Sequence, residues 1–150
     1  MTTYTAPIIN PELLKIYCFW GSILAIKLLA MVPLTARQRY AKKVFTTEED
    51  AKWLKNSKVV HNDPDVERVR RAHLNDLENI PVWYIVTLLW LTTGPSIWLA
   101  GTLIRTFVIA RIIHTISYTI LQKQPHRALA FFVGIFVTVY EIISTIIFYL

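Results

Sequence analysis

Apolar residues are concentrated in four long stretches of the chain, and this pattern predicts four membrane-spanning helices. The predicted helices cover about residues 13–39, 65–92, 97–121 and 126–149. A charged loop, about residues 40–64, joins the first two. A helix needs about 20 predominantly apolar residues to cross the hydrocarbon core of a bilayer. We therefore expect an all-α integral membrane protein whose single domain, residues 1–150, is a four-helix bundle.

The second stretch departs from this pattern, because its wholly apolar part, residues 80–92, is too short to span a bilayer. At about 1.5 Å per residue it covers roughly 20 Å of a hydrocarbon core about 30 Å thick. The helix must therefore begin earlier, and Pro64, with Asn62 or Asp63 as a cap, predicts its start. Polar side chains of residues 67–78 then lie at or below the interface, where they must face protein or water.

Those polar residues are spaced so that they form one stripe on the helix. Glu67, Arg71, Asn75 and Glu78 are four, four and three residues apart. This spacing places them on one face. A ladder of ion pairs on a solvated face would produce the same pattern. Within a membrane helix, ionisable groups are costly and usually have a task, so the position of the stripe favours a functional site.

The third predicted helix carries a second polar stripe near its cytoplasmic end. Arg111, His114 and Tyr118 are three and four residues apart. Arginine snorkelling and an interfacial tyrosine are the alternative explanation for this stripe. Arg127 begins the fourth helix and Arg39 ends the first, both at the same predicted end, although Arg39 also fits a simple interfacial anchor. Together these residues predict a shared pocket between the helices.

The charge distribution predicts which parts of the chain face the cytoplasm and which partners the protein has. The chain has 150 residues, 54% of them hydrophobic, and a net charge of +6. Most of its 16 Lys and Arg residues lie between Arg37 and Arg71, interleaved with acids. A mixed-sign loop beside apolar helices fits a cytoplasmic membrane face rather than a nucleic-acid groove, so we expect no nucleic-acid partner. The charged links are then cytoplasmic and both termini lie on the opposite side.

The residue types of the predicted pocket suit an anionic ligand with carboxylates and amides. Arginine can clamp a carboxylate with two hydrogen bonds, and a glutamate can pair with an amino group. The sequence contains none of the HExxH, GxSxG, P-loop or CxxC motifs. The sequence therefore shows no motif for metal, nucleophilic-serine or nucleotide chemistry, and we expect no metal.

Four ordered motifs give the chain a family resemblance over nearly its whole length. They are KKVFTTEED at 42–50, VERVRRAHLNDLENI at 66–80, ARIIHTISY at 110–118 and PHRALAFFVG at 125–134. The chain resembles the MAPEG family of membrane proteins of eicosanoid and glutathione metabolism. It is similar to the microsomal glutathione transferases of that family and, more distantly, to its membrane prostaglandin E synthases.

The resemblance implies a homotrimer of four-helix subunits that binds glutathione, as co-substrate, between neighbouring subunits. Residues at matching positions of the glutathione site are Arg39, Arg71, Asn75, Glu78, His114, Tyr118 and Arg127. Arg127 is the implied catalytic residue, which stabilises the glutathione thiolate. The implied partners are membrane lipid and either hydrophobic electrophiles or lipid hydroperoxides. The implied location is the endoplasmic reticulum membrane, with the mitochondrial outer membrane as a second site, and the active site faces the cytosol.

Departures from the family pattern separate the possible activities. Ala128 and Leu74 stand where the prostaglandin synthases have a serine and an arginine, which favours a general glutathione transferase over a prostaglandin isomerase. Ala51 replaces the cysteine through which thiol reagents activate the mammalian transferase, and Asp50 matches an acid proposed to act in the synthase. A non-enzymatic, lipid-presenting scaffold and a small channel or transporter are the alternatives from other functional classes.

Overall fold

The computed structural model describes residues 9–121 and 125–150, and this part of the chain is mostly helical. Its long helices are α1 (Pro11–Lys42), α3 (Pro64–Leu91), α4 (Ile97–Ile116) and α5 (His126–Tyr149), and a π-helical turn, Ser117–Leu121, extends α4. By length and composition, α1, α4 with its π-helical turn, and α5 could cross a membrane; α3 does not meet the same test. The prediction of a mainly helical chain with several membrane-length helices is confirmed.

A side-chain cap explains where α3 begins. The Asp63 side chain accepts hydrogen bonds from the backbone N–H groups of Asp65 and Val66, at 3.0 and 3.2 Å, and Pro64 occupies the first position of α3. An aspartate cap satisfies N–H groups that have no partner inside the helix. The start of the second long helix therefore agrees with the expectation from Asp63 and Pro64.

The segment between α1 and α3 has structure that the charge pattern did not predict. Two short parallel strands, β1 (Val44–Phe45) and β2 (Lys58–Val59), pair on either side of a single-turn helix, α2 (Glu48–Lys52). Val44 and Phe45 are both buried. The pairing of the two strands thus gives the loop a structure of its own. We call the end of the helix bundle beside this loop the loop end.

Apolar packing joins the four long helices along most of their length. The rings of Trp83 in α3 and Phe107 in α4 are stacked, with centroids 4.6 Å apart. On the α1 side, Gly21 allows close approach of α3, because a Cβ atom there would lie 3.0 Å from the ring of Tyr84. The Tyr84 hydroxyl donates to the Gly21 carbonyl at 2.5 Å. These contacts fix the helices at separations that a larger side chain at Gly21 would disturb.

Polar and charged side chains are also buried inside this apolar bundle. Glu141 of α5 is fully buried and accepts a hydrogen bond of 2.7 Å from Thr87 of α3. Nearer the loop end, Asp76 and Arg111 are likewise buried. Because burying an ionised group is costly unless it is paired, the groups around Asp76 and Arg111 identify the region where a functional site should be sought.

Candidate functional site

A cavity of about 280 Å³ opens near the loop end, where α3, the π-helical turn and α5 meet. One wall is polar and the other is aromatic. Its described lining consists of Asn75, His114, Tyr118, Arg127, Ala128, Phe131 and Phe132. Four of the seven residues proposed from the sequence thus share one cavity, and residues from both predicted polar stripes contribute to it.

Arg127 is held over the face of Tyr118. The guanidinium carbon lies 4.5 Å from the centroid of the tyrosine ring, a distance at which the cation is attracted to the electron-rich face of the ring. Tyr118 itself lies on the π-helical turn and packs against a small cluster that includes Met31 of α1 and Ala72 of α3. Single π-helical turns are frequent at functional sites, because the extra residue redirects the side chains that follow. The turn therefore sets the position of the ring on which Arg127 of α5 stacks at the edge of the cavity.

His114 forms the deeper part of the same wall. Its side chain is buried, and its ring centroid lies 5.6 Å from that of Tyr118 and 6.4 Å from that of Phe131. The Nδ1 atom is buried and has no hydrogen-bond partner within residues 9–121 and 125–150. A buried polar atom without a partner requires an explanation, and a bound ligand or water in the cavity would supply one.

Asn75 connects the cavity to a charged network beneath it. The Nη2 atom of Arg111 donates to the Asn75 side-chain oxygen at 2.8 Å and to Asp76 Oδ1 at 2.5 Å. The other Asp76 oxygen, Oδ2, accepts from Lys27 of α1 and, at 3.5 Å, from Thr115 of α4. Asp76 is 0% exposed and Arg111 is 1% exposed. We call Lys27, Asp76 and Arg111 the buried triad.

The buried triad shows what the sequence reasoning missed. Arg111 does not snorkel to the interface, because its guanidinium turns inward and pairs with Asp76. Asp76 was not identified, although its position carried a signal. It lies on the same helical face as Ala72, Ile80 and Trp83, all of which are buried. An acid on an otherwise apolar face, together with Lys27 in an apolar helix, predicts a buried ion pair.

The remaining sequence-predicted residues lie apart from the cavity. Arg71 lines a separate groove of about 270 Å³ on the outer side of α3, together with Glu67. Glu78 is exposed on the same helix, and Arg39 is partly exposed in the last turn of α1. Glu67 pairs with Arg70 rather than with Arg71, at 2.5 Å. The polar stripe is therefore not a ladder of ion pairs among its own members.

The cavity can bind an anion with polar groups along its length. Arg127 supplies a cation at the edge, Asn75 and Tyr118 supply hydrogen-bonding groups, and Phe131 and Phe132 give one side an apolar wall. Groups of three or more His, Cys, Asp or Glu side chains that could hold a metal ion are absent from the described part of the chain. This arrangement suits an anionic, amide-containing molecule with negative charge beside Arg127.

Comparison with known proteins agrees with this chemistry. The MAPEG family model matches residues 17–147. The chain is 44% identical over 135 residues to microsomal glutathione S-transferase 1 of Mus musculus and 42% identical over 135 residues to that of Homo sapiens, with 87% of each chain covered. It is 32% identical over 124 residues to prostaglandin E synthase of Bos taurus, covering 83% of this chain and 81% of the relative. The chain belongs to the MAPEG family.

Proposed function

We propose that this protein is a membrane-bound glutathione transferase, which conjugates glutathione to hydrophobic electrophiles and also reduces lipid hydroperoxides with glutathione. The observation that carries the proposal is the placement of Arg127, stacked on Tyr118 at the edge of a cavity whose inner wall contains Asn75 and His114. Relatives that are 42–44% identical are named microsomal glutathione S-transferase 1, which supports the same activity.

The proposed catalytic role of Arg127 is to stabilise the thiolate of glutathione. A free thiol has a pKa near 8.5, so only a few per cent of it is ionised at neutral pH. A guanidinium close to the sulfur favours the charged form and lowers that pKa. Each unit of lowering corresponds to about 1.4 kcal/mol of differential stabilisation. Stacking on Tyr118 keeps the cation in place without neutralising it.

The peptide part of glutathione is proposed to lie along the polar stripe of α3. Arg71 and Glu78 are seven residues apart, which is about 10 Å along a helix axis, and Asn75 lies between them. An extended tripeptide that contacts Asn75 in the cavity can therefore reach both. Arg71 and Glu78 are exposed in the single chain. We propose that a neighbouring subunit of a homotrimer covers them, and that Arg39 completes the site across this interface.

We propose that all four long helices span the membrane, including α3. The C-terminal half of α3 is apolar, and the charge of Asp76 is enclosed by α1 and α4 rather than exposed to lipid. The basic loop between α1 and α3 supports a cytosolic position for the loop end. Glutathione then enters from the cytosol and the hydrophobic substrate from the bilayer. The proposed location is the endoplasmic reticulum membrane, with the mitochondrial outer membrane as a second site.

The test is conjugation of a chloronitroaromatic by the purified protein in detergent, together with the ultraviolet absorbance of bound thiolate. We expect Arg127→Ala to abolish the thiolate absorbance and to lower kcat by at least about 100-fold, a loss typical of one removed stabilising charge. Arg105→Ala is the matched control, because Arg105 is an exposed arginine on α4 that lies outside the cavity. Unchanged conjugation and absorbance in Arg127→Ala would refute the assignment.

A prostaglandin E synthase-like isomerase is the second candidate, because the chain is also 32% identical to such a synthase. Ala128, which stands where those synthases have a serine, lines the cavity beside Arg127. A methyl group there removes a hydroxyl from the place where the second substrate would react, and this favours the transferase. Turnover of a prostaglandin endoperoxide to a single isomer at a rate above that of chloronitroaromatic conjugation would reverse this order.

Glutathione-independent ion flux through liposomes would support a channel, and binding of a fatty acid without any turnover would support a lipid-presenting scaffold. Either result, combined with no glutathione binding in calorimetry, would overturn the proposed function.

A further inference from the structure

Asn75 is the point where the buried triad meets the cavity. Arginine carries only hydrogen-bond donors, so the Asn75 atom that faces Arg111 at 2.8 Å must be the amide oxygen. The amide nitrogen is then left with two donor hydrogens and has no side-chain partner within the described ranges of the chain. Since Asn75 lines the cavity, its amide nitrogen is available to donate to a ligand.

Lys27 decides whether Arg111 remains bonded to Asn75. Arg111 and Asp76 share a single hydrogen bond, between Nη2 and Oδ1, and the Nε atom of Arg111 is buried with no partner within residues 9–121 and 125–150. An arginine and a carboxylate prefer two parallel hydrogen bonds. The Asp76 oxygen that would accept the second bond already accepts from Lys27 and, at 3.5 Å, from Thr115.

We infer that Lys27, Asp76 and Arg111 are positioning residues that fix the Asn75 amide as a hydrogen-bond donor to a carbonyl or carboxylate of the bound peptide. This inference rests on the proposed function, because the peptide is taken to be glutathione. Lys27 donates to Oδ2 of Asp76, and Arg111 Nη2 donates to Oδ1 of Asp76. The same Nη2 also donates to the side-chain oxygen of Asn75. None of the three triad residues lines the cavity, so they act on the ligand through a neighbouring side chain, for which the hydrogen bond from Arg111 points to Asn75.

Replacing Lys27 frees Asp76 to pair with both Nε and Nη2 of Arg111. The guanidinium then moves away from Asn75, and the amide can rotate so that its oxygen faces the ligand. For Lys27→Met, which keeps the length of the side chain, we expect the Kd for glutathione to rise about tenfold while kcat at saturating glutathione changes less than about twofold. Lys27→Arg, which retains a cation and donors, is expected to restore the Kd to within about threefold of the wild type.

The decisive experiment is a double-mutant cycle measured by calorimetry with glutathione on the trimeric or monomeric protein as purified in detergent. The variants are Lys27→Met, Asn75→Ala and the double variant, with Lys15→Met as the matched control, since Lys15 is an exposed lysine of the same helix. If Lys27 acts through Asn75, the Lys27→Met substitution has no further effect on Kd once Asn75 is alanine. A merely structural role would lower the folded fraction and leave the Kd of the folded protein unchanged.

Two results would overturn the inference: an unchanged Kd in folded Lys27→Met, or additive effects of the two substitutions. If Lys27→Met does not accumulate, Lys27→Gln, which keeps one donor, takes its place in the cycle. Absence of glutathione binding by the wild-type protein would instead refute the proposed function, so the two failures are distinguishable.

Discussion

Two sets of lysine, aspartate and arginine join α1 to α3, and they differ mainly in their surroundings. The buried triad lies inside the bundle, and its arginine comes from α4. The second set, which we call the surface triad, consists of Lys42, Asp65 and Arg68 at the loop end. There Lys42 is 38% exposed and Asp65 is 31% exposed.

Water changes what the same three residue types contribute. Lys42 and Asp65 lie at the loop-facing helix ends, outside the apolar part of each span. The hydrogen bond that Lys42 donates to Asp65 raises the pKa of the Lys42 ammonium. The same bond, together with the one from Arg68, lowers the pKa of the Asp65 carboxyl. Exposed pairs of this kind contribute little to stability, because solvent and salt screen them. The buried triad must offset the loss of hydration of its ionic groups, so we expect it to contribute less to stability than its short contacts suggest and to serve the site instead.

The largest expected effect is that of Asp76→Asn, which leaves the buried Arg111 and the partly buried Lys27 without a carboxylate. We expect the free energy of unfolding to fall by about 3–5 kcal/mol, the usual cost of breaking a buried pair. Loss of intrinsic tryptophan fluorescence during heating in detergent would measure it. Asp65→Asn is the matched control, and its melting temperature should remain within about 1 °C of the wild type. Equal shifts for the two variants would refute the distinction between the triads.

A smaller effect is expected for Arg111→Lys. A lysine ammonium lacks the planar fork of arginine and does not reach both Asp76 and Asn75 in one geometry. We expect a loss of roughly 1–2 kcal/mol in unfolding free energy and an increase of about tenfold in the Kd for glutathione. Thermal melting and calorimetry on the same preparation would measure the two quantities. Arg68→Lys should alter neither, and a Kd unchanged in Arg111→Lys would separate the buried triad from the site.

Replacing the whole buried triad by apolar residues tests its contribution to stability separately from its contribution to glutathione binding. In the triple variant Lys27→Met, Asp76→Leu and Arg111→Met, no unpaired charge remains, so we expect an unfolding free energy within about 1 kcal/mol of the wild type or above it. Glutathione binding should nevertheless weaken at least as much as in Lys27→Met. Retained affinity in a stable triple variant would show that the triad serves neither stability nor the site.

The smallest effect concerns the surface triad and pH. Because the pKa of Asp65 is lowered in the folded protein, its contribution is present above about pH 4 and is lost as the pH falls through the folded value. Because the pKa of Lys42 is raised, its contribution is present below about pH 10 and is lost as the pH rises through its folded value. The difference in melting temperature between wild type and Asp65→Asn should therefore stay constant from about pH 5 to pH 9. A change within that range would contradict the assignment.

Local features of this fold could be predicted from the sequence, whereas contacts between helices could not. The cap at Asp63 and the shared face of His114 and Tyr118 follow from spacings of a few residues, and the structure shows both. Arg111 lay on the same predicted face, but its partner is 35 residues away. A helical pattern shows that Arg111 faces the bundle or the interface, and only the packing of α3 against α4 decides between them.

The candidate site divides in the same way. Asn75 belonged to the predicted stripe. That it lines the same cavity as Arg127 depends on the π-helical turn, which no residue pattern of Ser117–Leu121 indicates. The pairing of β1 with β2 likewise depends on backbone geometry rather than on composition, since each strand has two residues. The arrangement of Arg39, Arg71 and Glu78 around one ligand stays a prediction from the family resemblance.

The position of Asp76 in the middle of α3 also has a consequence for how the chain enters the membrane during synthesis. On the scale of insertion by the translocon, an aspartate costs up to about 2.5–3.5 kcal/mol, the value at the centre of a span, and α3 fails the length and composition test that the other three long helices meet. Its partner cation, Lys27, lies in α1 and is therefore synthesised first. With α3 spanning the membrane as proposed, we expect α1 to supply the counter-ion of Asp76 when α3 is inserted.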